Sequence, residues 1–166
     1  MPQPEESERE AMKPHQRAVT GALCGASATI VLSGLRGAWK GIGLVFDTAP
    51  QQVVDRMEEI GLVEGWSPRA LRALSWGAHF AYGTGTGAAF GLLRRPTSRL
   101  ASEASVGAAL GTLAWGAGWS SWLPLAGVHE APWTQDTPKV LLPVLDHAAF
   151  GAAWGLAYWA LSRRYG

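Results

Sequence analysis

Three residues stand where the surrounding sequence is otherwise apolar or small: His79, Asp146 and His147. Imidazole titrates near neutral pH, and an ionisable side chain inside a membrane-crossing helix is costly enough to need a reason. Three chemistries supply one. The groups can hydrogen-bond one helix to another, line a path for protons or small solutes, or, as a histidine pair facing across a bundle, ligate haem or a metal. His129 and Glu130 belong to the same question, because they fall in the connection that leads into the helix of Asp146 and His147. Enzyme chemistry is not expected, since there is no HExxH or GxSxG pattern and no glycine-rich phosphate loop behind a strand. Gly83-Thr84-Gly85-Thr86-Gly87 has no preceding strand and is expected to serve helix packing. Cys24 stands alone within an apolar run, so neither a disulfide nor a cysteine metal motif is available.

The elements that must position these residues are legible from where charge is missing. Charged residues make up 16% of the chain, against about 25% in an average soluble protein. Nearly all lie outside four windows, Ala18 to Leu35, Ala73 to Leu93, Ala104 to Val128 and Val140 to Ser162, the last broken only by Asp146 and His147. Each window is 18 to 25 residues long, and about 20 residues of helix cross a hydrocarbon core of roughly 30 Å. Mean hydropathy is only +0.04, because the windows use Gly and Ala where a purely lipid-facing helix would use Leu and Ile. Both residues are frequent at packing surfaces of membrane helices. The expectation is an all-α polytopic membrane protein with spans over about 18–35, 71–93, 104–125 and 140–162.

Residues 1–17 are rich in Glu, Pro and basic residues and read as a flexible tail ahead of a membrane domain over 18–166. Ala26-Ser27-Ala28 has the look of a signal-peptide cleavage site, but Thr29-Ile30-Val31-Leu32 continues the apolar run, so the first span is expected to be retained. In the first connection, Thr48 and Gln51 have capping-box spacing, Val53, Val54, Met57 and Ile60 recur at helical spacing, and Gly61 ends the pattern. A short interfacial helix follows from that. Ser67-Pro68 is an N-cap and first-turn proline launching the second span. The second connection, Arg94 to Arg99, is short and basic, and the third, Pro124 to Pro143, is proline-rich and carries His129, Glu130, Trp133 and Asp136. Four spans put both termini on one face with Arg9, Lys13, Arg17, Arg94, Arg95, Arg99, Arg163 and Arg164, eight basic residues against six on the other face. The bias toward basic residues inside makes the termini cytoplasmic. The formal charge of +1 and the dispersed basic residues give no nucleic-acid surface.

Every window contains glycines four apart: Gly21 and Gly25, then Gly83, Gly87 and Gly91, then Gly107 and Gly111, then Gly151 and Gly155. This spacing lines positions without a Cβ along one helix face, where backbones can meet closely. The second and fourth windows match further: His79, Tyr82, Gly83, Gly87 and Phe90 stand beside His147, Phe150, Gly151, Trp154, Gly155 and Tyr158, each set ending in an arginine pair. The chain therefore reads as two copies of a two-helix unit. Each histidine precedes its arginine pair by about 24 Å of helix, so in an up-and-down bundle His79 and His147 share one height. Asp146 lies about 100° around the helix from His147. Trp115, Trp119 and Trp122 are placed as interfacial anchors or core filling, with Trp159 near the end of the fourth span.

Pro124-Leu125-Ala126-Gly127, Pro132-Trp133, and His147 followed by Gly151 resemble the YagU-like family of bacterial inner-membrane proteins, over roughly residues 74–162. The resemblance implies an inner-membrane location and a role in envelope or acid tolerance, and it transfers no catalytic residue. The expected function is thus a non-enzymatic helical scaffold in the lipid bilayer, self-associating, with no cofactor or metal assigned and a polar cluster of His79, Asp146, His147, His129 and Glu130. The alternative is proton-linked or small-solute transport through a His/Asp-lined bundle, with bis-histidine haem or metal binding behind it.

Overall fold

The computed structural model describes residues 12–44, 48–95, 99–135 and 137–164, the side chains of 137–139 excepted. Residues 1–11 of the expected tail, 96–98 of the second connection and Asp136 of the third lie outside the described residues. The described chain is all-helical: α1 Pro14–Gly41, α2 Ala49–Glu59, α3 Pro68–Leu93, α4 Leu100–Ser120, the single turn α5 Trp122–Leu125, a 3-10 turn at Pro132–Thr134, and α6 Thr137–Ser162. The four long helices hold 28, 26, 21 and 26 residues, about 32 to 42 Å each at 1.5 Å per residue.

Local chemistry sets the ends. α1 begins at Pro14, inside the segment read as tail, because Pro suits a first turn and Gln16 Oε1 accepts the Lys13 backbone N–H at 2.8 Å. It runs past the uncharged window to Gly41, so Arg36 and Trp39, read as loop, are helical. Gly43 and Gly61 close α1 and α2 with φ of +76° and +79°. In each case the next residue's N–H reaches back to the helix, Leu44 to the Trp39 carbonyl and Leu62 to the Met57 carbonyl, both at 2.9 Å. Thr48 precedes α2 without a side-chain capping bond. At α3, Ser67 Oγ accepts the Ala70 N–H at 3.2 Å ahead of Pro68. α4 stops at Ser120, short of the window's end, where Ser121 leaves helical geometry.

The architecture is two antiparallel hairpins, α1 with α3 and α4 with α6, and all nine glycines at four-residue spacing form their seams. A Cβ added at Gly21 would meet the Gly87 carbonyl oxygen, and one at Gly87 would meet the Gly21 carbonyl. A Cβ at Gly25 would meet the Gly83 carbonyl, and one at Gly83 would meet the Thr29 hydroxyl. In the second hairpin, Gly107 and Gly111 abut Gly151, while Gly155 abuts the Glu103 carbonyl. One residue-number offset carries His79, Gly83 and Gly87 onto His147, Gly151 and Gly155. A second carries Gly25, Thr29 and Ser33 onto Gly107, Gly111 and Trp115, which hold the matching places in the two seams. The repeat seen in the second and fourth windows thus extends to the first and third.

Between the hairpins, α1 packs on α6, and the aromatics of α6 fill the centre. Trp154 and Tyr158 are fully buried and stacked at 4.7 Å, Phe90 meets Trp154 edge-on at 5.4 Å, and Trp154 Nε1 donates to the Gly21 carbonyl at 3.0 Å. The flanks are apolar in the opposite sense from a soluble bundle: Val19, Leu23 and Ile30 of α1, Leu113 of α4, and Leu141, Leu145 and Leu156 of α6 are exposed, whereas Thr20, Thr29, Glu103, Asp146 and Ser162 are buried. By length and composition, two helical segments, Pro14–Gly41 and Val140–Ser162, are apolar enough to cross a membrane. α3 and α4 are also long, but much of their length is Gly, Ser, Thr and Trp.

Candidate functional site

One end of the bundle is built from the last turns of α1 and α4 and the first turns of α3 and α6. Because α3 and α6 run parallel, His79 and His147 come to this same end. They lie within electrostatic reach of one another, and both within reach of Arg36. Asp146 is 1% exposed and points to α1, where Arg36 Nε lies 2.6 Å from Oδ2 and Trp39 Nε1 donates to Oδ1 at 2.8 Å. Its neighbour His147 points the other way, toward α4. There its ring lies 6.3 Å from that of Trp115, and its Nδ1 donates to the Pro143 carbonyl at 2.7 Å. A carbonyl only accepts, so Nδ1 carries the hydrogen and the neutral ring keeps its lone pair on Nε2. His79 Nε2 faces Ser33 Oγ at 3.2 Å, and Ser33 itself donates to the Thr29 carbonyl at 2.8 Å.

His129 is brought near by rings instead of by ionic contact. It stacks on Trp119 at 3.9 Å, Trp119 stacks on Trp115 at 6.0 Å, and Trp115 meets His147, so a run of four rings joins His129 to His147. Glu130 is exposed. Its backbone carbonyl accepts from His129 Nδ1 at 2.6 Å and from the Gln135 side chain. Of the five expected cluster residues, then, His79, Asp146 and His147 share one end, His129 joins through tryptophans, and Glu130 contributes its backbone. α2 closes this end from outside, with Val54 buried and Arg56 Nε donating to the Ala126 carbonyl at 3.2 Å.

The opposite end holds a second buried ion pair that the uncharged windows conceal. Glu103, one residue ahead of the third window, has a side chain 0% exposed and takes two bonds of 3.0 Å from Arg94 Nε and Nη2. The Arg94 carbonyl in turn accepts from Arg17 Nη1 at 3.4 Å and from Tyr158 Oη at 3.2 Å. Sequence reasoning placed Arg36 and Arg94 in connections and left Glu103 unassigned. The available signal was that each buried acid had an arginine just beyond the end of another window. Both pairs cross between the hairpins: Arg36 of α1 to Asp146 of α6, and Arg94 after α3 to Glu103 of α4. The arrangement can hold two helical units in register, since a paired and hydrogen-bonded carboxylate escapes the penalty of an isolated buried charge. Asp146 Oδ1 accepts a hydrogen bond and Oδ2 is held by the Arg36 charge alone, without a hydrogen bond of its own, and among the described residues no three His, Cys, Asp or Glu side chains gather to hold a metal ion.

Comparison with known proteins returns nothing similar: no protein-family model, no curated protein and no solved structure matches the chain.

Proposed function

We propose that the chain is a four-span protein of the bacterial inner membrane with both termini cytoplasmic, acting as a non-enzymatic helical scaffold. The observation that carries this reading is the pairing of Asp146 and Glu103, each with an arginine of the other hairpin. An acid that serves a proton path needs freedom to change partners, whereas these two are engaged as clasps. The membrane setting rests on the exposed Val, Leu and Ile side chains of the long helices, and on two segments apolar enough to span. α3 and α4 then cross as part of the bundle, their small residues turned to neighbouring helices and Leu92, Leu93 and Leu113 turned outward. Trp66, Trp122 and Trp133, all exposed at the end capped by α2, match an interfacial belt. Arg94, Arg95, Arg163 and Arg164 at the other end match a cytoplasmic face. The YagU-like resemblance agrees with this location and adds envelope or acid tolerance as the setting. Self-association has room on Gly34, Gly37 and Gly41 of α1 and on Gly77 and Gly85 of α3, where an added Cβ would meet nothing within 4 Å.

The test is reconstitution into liposomes carrying an imposed proton gradient. The scaffold reading expects no dissipation and a protein that resists alkaline carbonate extraction from membranes. Gradient collapse that Asp146→Asn suppresses would establish the transport alternative instead.

A further inference from the structure

The two ends of the bundle carry charge differently. At the end capped by α2, Arg36 pairs with Asp146 and Arg56 with Glu59, while Asp55, Glu58 and Glu64 offset Lys40, Arg69 and Arg72. The opposite end holds eight basic residues in the sequence, all but Arg9 described, and its one described acid is Glu103, fully buried and bonded to Arg94. Counting the four glutamates of residues 1–11 with Glu103, basic residues still lead, eight against five. Arg17 there bonds the Arg94 carbonyl, with Nε buried and unpartnered, so its one described bond brings no counter-charge. Arg163 and Arg164 are exposed and make no ion pair among the described residues.

Beside them the surface is apolar, and it is built by α4 and α6 together. Gly155 of α6 abuts the Glu103 carbonyl of α4. One more turn along these antiparallel helices sets Trp159 level with Arg99 and Leu100. Leu156, Trp159 and Arg163 fall at i, i+3 and i+7, on one side of α6, and the Arg163 guanidinium lies 4.7 Å from the centre of the Trp159 ring. Leu100, Leu156 and Arg99 are exposed and Trp159 is half-buried. Toward the end of the bundle, the strip therefore runs leucine, indole, guanidinium. That is the order of acyl chain, interface and charged head in a phospholipid leaflet. A guanidinium resting on a ring still presents N–H donors at its rim, and their fork matches two oxygens of one phosphate.

We propose that Arg99, Arg163 and Arg164, with Trp159, form a binding surface for the head group of an anionic phospholipid whose acyl chains lie along Leu156 and Leu100. Arginines without carboxylate partners favour a phosphate-bearing head that also carries net negative charge. The exposed leucines next to them favour a lipid over a soluble phosphate, which would leave that apolar surface uncovered. The site rests on the membrane reading and goes beyond the scaffold role by naming a ligand and the residues that select it.

The test uses the full chain in a non-ionic detergent, mixed with equal amounts of phosphatidylglycerol and phosphatidylcholine and read by native mass spectrometry. Saturable retention of phosphatidylglycerol over phosphatidylcholine is expected. Arg163→Gln with Arg164→Gln should weaken it about 25-fold, at about fivefold for each charge taken from a contact with an anionic lipid. Arg69→Gln with Arg72→Gln removes as much charge from the other end and should change nothing. Should the first pair fail to fold by circular dichroism, Arg99→Gln with Arg164→Gln removes two charges from the strip and leaves Arg163 on its ring. Equal retention of the two lipids, or a preference that the folded site variants keep, overturns the proposal. Displacement of the lipid by inorganic phosphate overturns it as well, since a bare anion would then suffice. Alkaline carbonate extraction separates the two failures: protein that stays with membranes yet shows no lipid preference refutes the site alone, and protein that carbonate releases refutes the membrane reading on which the site rests.

Discussion

Gly83, Gly85 and Gly87 lie within five residues of α3, yet substituting them should give opposite results. A Cβ at Gly87 would lie 2.7 Å from Gly25 Cα and 2.9 Å from Gly25 N, and nearer still to the Gly21 carbonyl oxygen. Carbon atoms in comfortable contact stand about 3.5 to 4.0 Å apart, so α1 and α3 must part by about 1 Å along that seam, or the seam must break. Backbone atoms cannot rotate away as a flexible side chain can, which places Gly87→Ala at the upper end of the overpacking range, about 2 to 3 kcal/mol. A Cβ at Gly85 meets nothing within 4 Å, and Gly→Ala in a helix interior gains up to about 1 kcal/mol. Cys24, the single cysteine, is fully buried on α1 next to Gly25, so its reaction with a maleimide in detergent reports opening of this hairpin. Where opening precedes labelling, 2 to 3 kcal/mol corresponds to roughly 30- to 150-fold faster modification in Gly87→Ala. Gly85→Ala should label at or below the rate of the unaltered chain. Equal rates for the two variants would refute the glycine seam as the source of hairpin stability.

The ionic clasps should behave as pairs. Asp146→Asn or Arg36→Met alone should cost about 3 to 5 kcal/mol of stability, and Arg36→Met with Asp146→Leu much less than the sum, read as a coupling energy from thermal unfolding in detergent. Glu103→Gln should loosen the opposite end, where Arg94 would keep a buried guanidinium without its counter-charge, and should free the N-terminal turns of α1 to exchange amide hydrogens faster than the Ser33–Trp39 segment. His79→Gln combined with His147→Gln should weaken folding or assembly by about 1 to 2 kcal/mol if the histidines act as interhelical bonds. Unchanged stability and oligomer size at every pH would remove that role. Single cysteines at Gly34 and Gly85 should cross-link between copies more readily than one at Gly107, whose Cβ position is filled by Gly151.

What the sequence discloses here depends on whether a feature repeats. Glycines four apart in every window place all nine seam residues, because backbone contact admits no other residue type and the helical period fixes the face. Asp146 announces a buried partner, since an unpaired carboxylate in an apolar run is untenable. Its partner Arg36 is hidden, because an arginine at the end of an uncharged window reads as the start of a loop, and only the continuation of α1 to Gly41 turns it inward. Glu103 is missed for the mirror reason: it stands where a span should begin, and its burial depends on α4 starting at Leu100 with Arg94 folded over it. The ring run shows how spacing can mislead. Trp115 and Trp119 share a face as their spacing requires, but what they face is His147 on one side and a loop histidine on the other. Nothing in the local pattern specifies that return of the loop.

The two clasps also bear on why the fold tolerates charge in its interior. Pairing within one hairpin would add little, since each glycine seam already fixes its own two helices by backbone contact. Pairing across hairpins supplies what the seams do not, a register between units that otherwise share one close helix junction, α1 on α6. The ion pairs sit at opposite ends of that junction, so sliding one hairpin along the other by a single helical turn, about 5.4 Å, would break both at once and leave four buried charges unpaired. A one-turn slip that preserved every glycine contact is thereby excluded by the charges, and a rotation that preserved the charges is excluded by Trp154 donating to Gly21 across the same junction. Specific alignment of two hairpins built on the same glycine pattern is the problem this chain has to solve, and arginine with carboxylate at each end is the solution it carries.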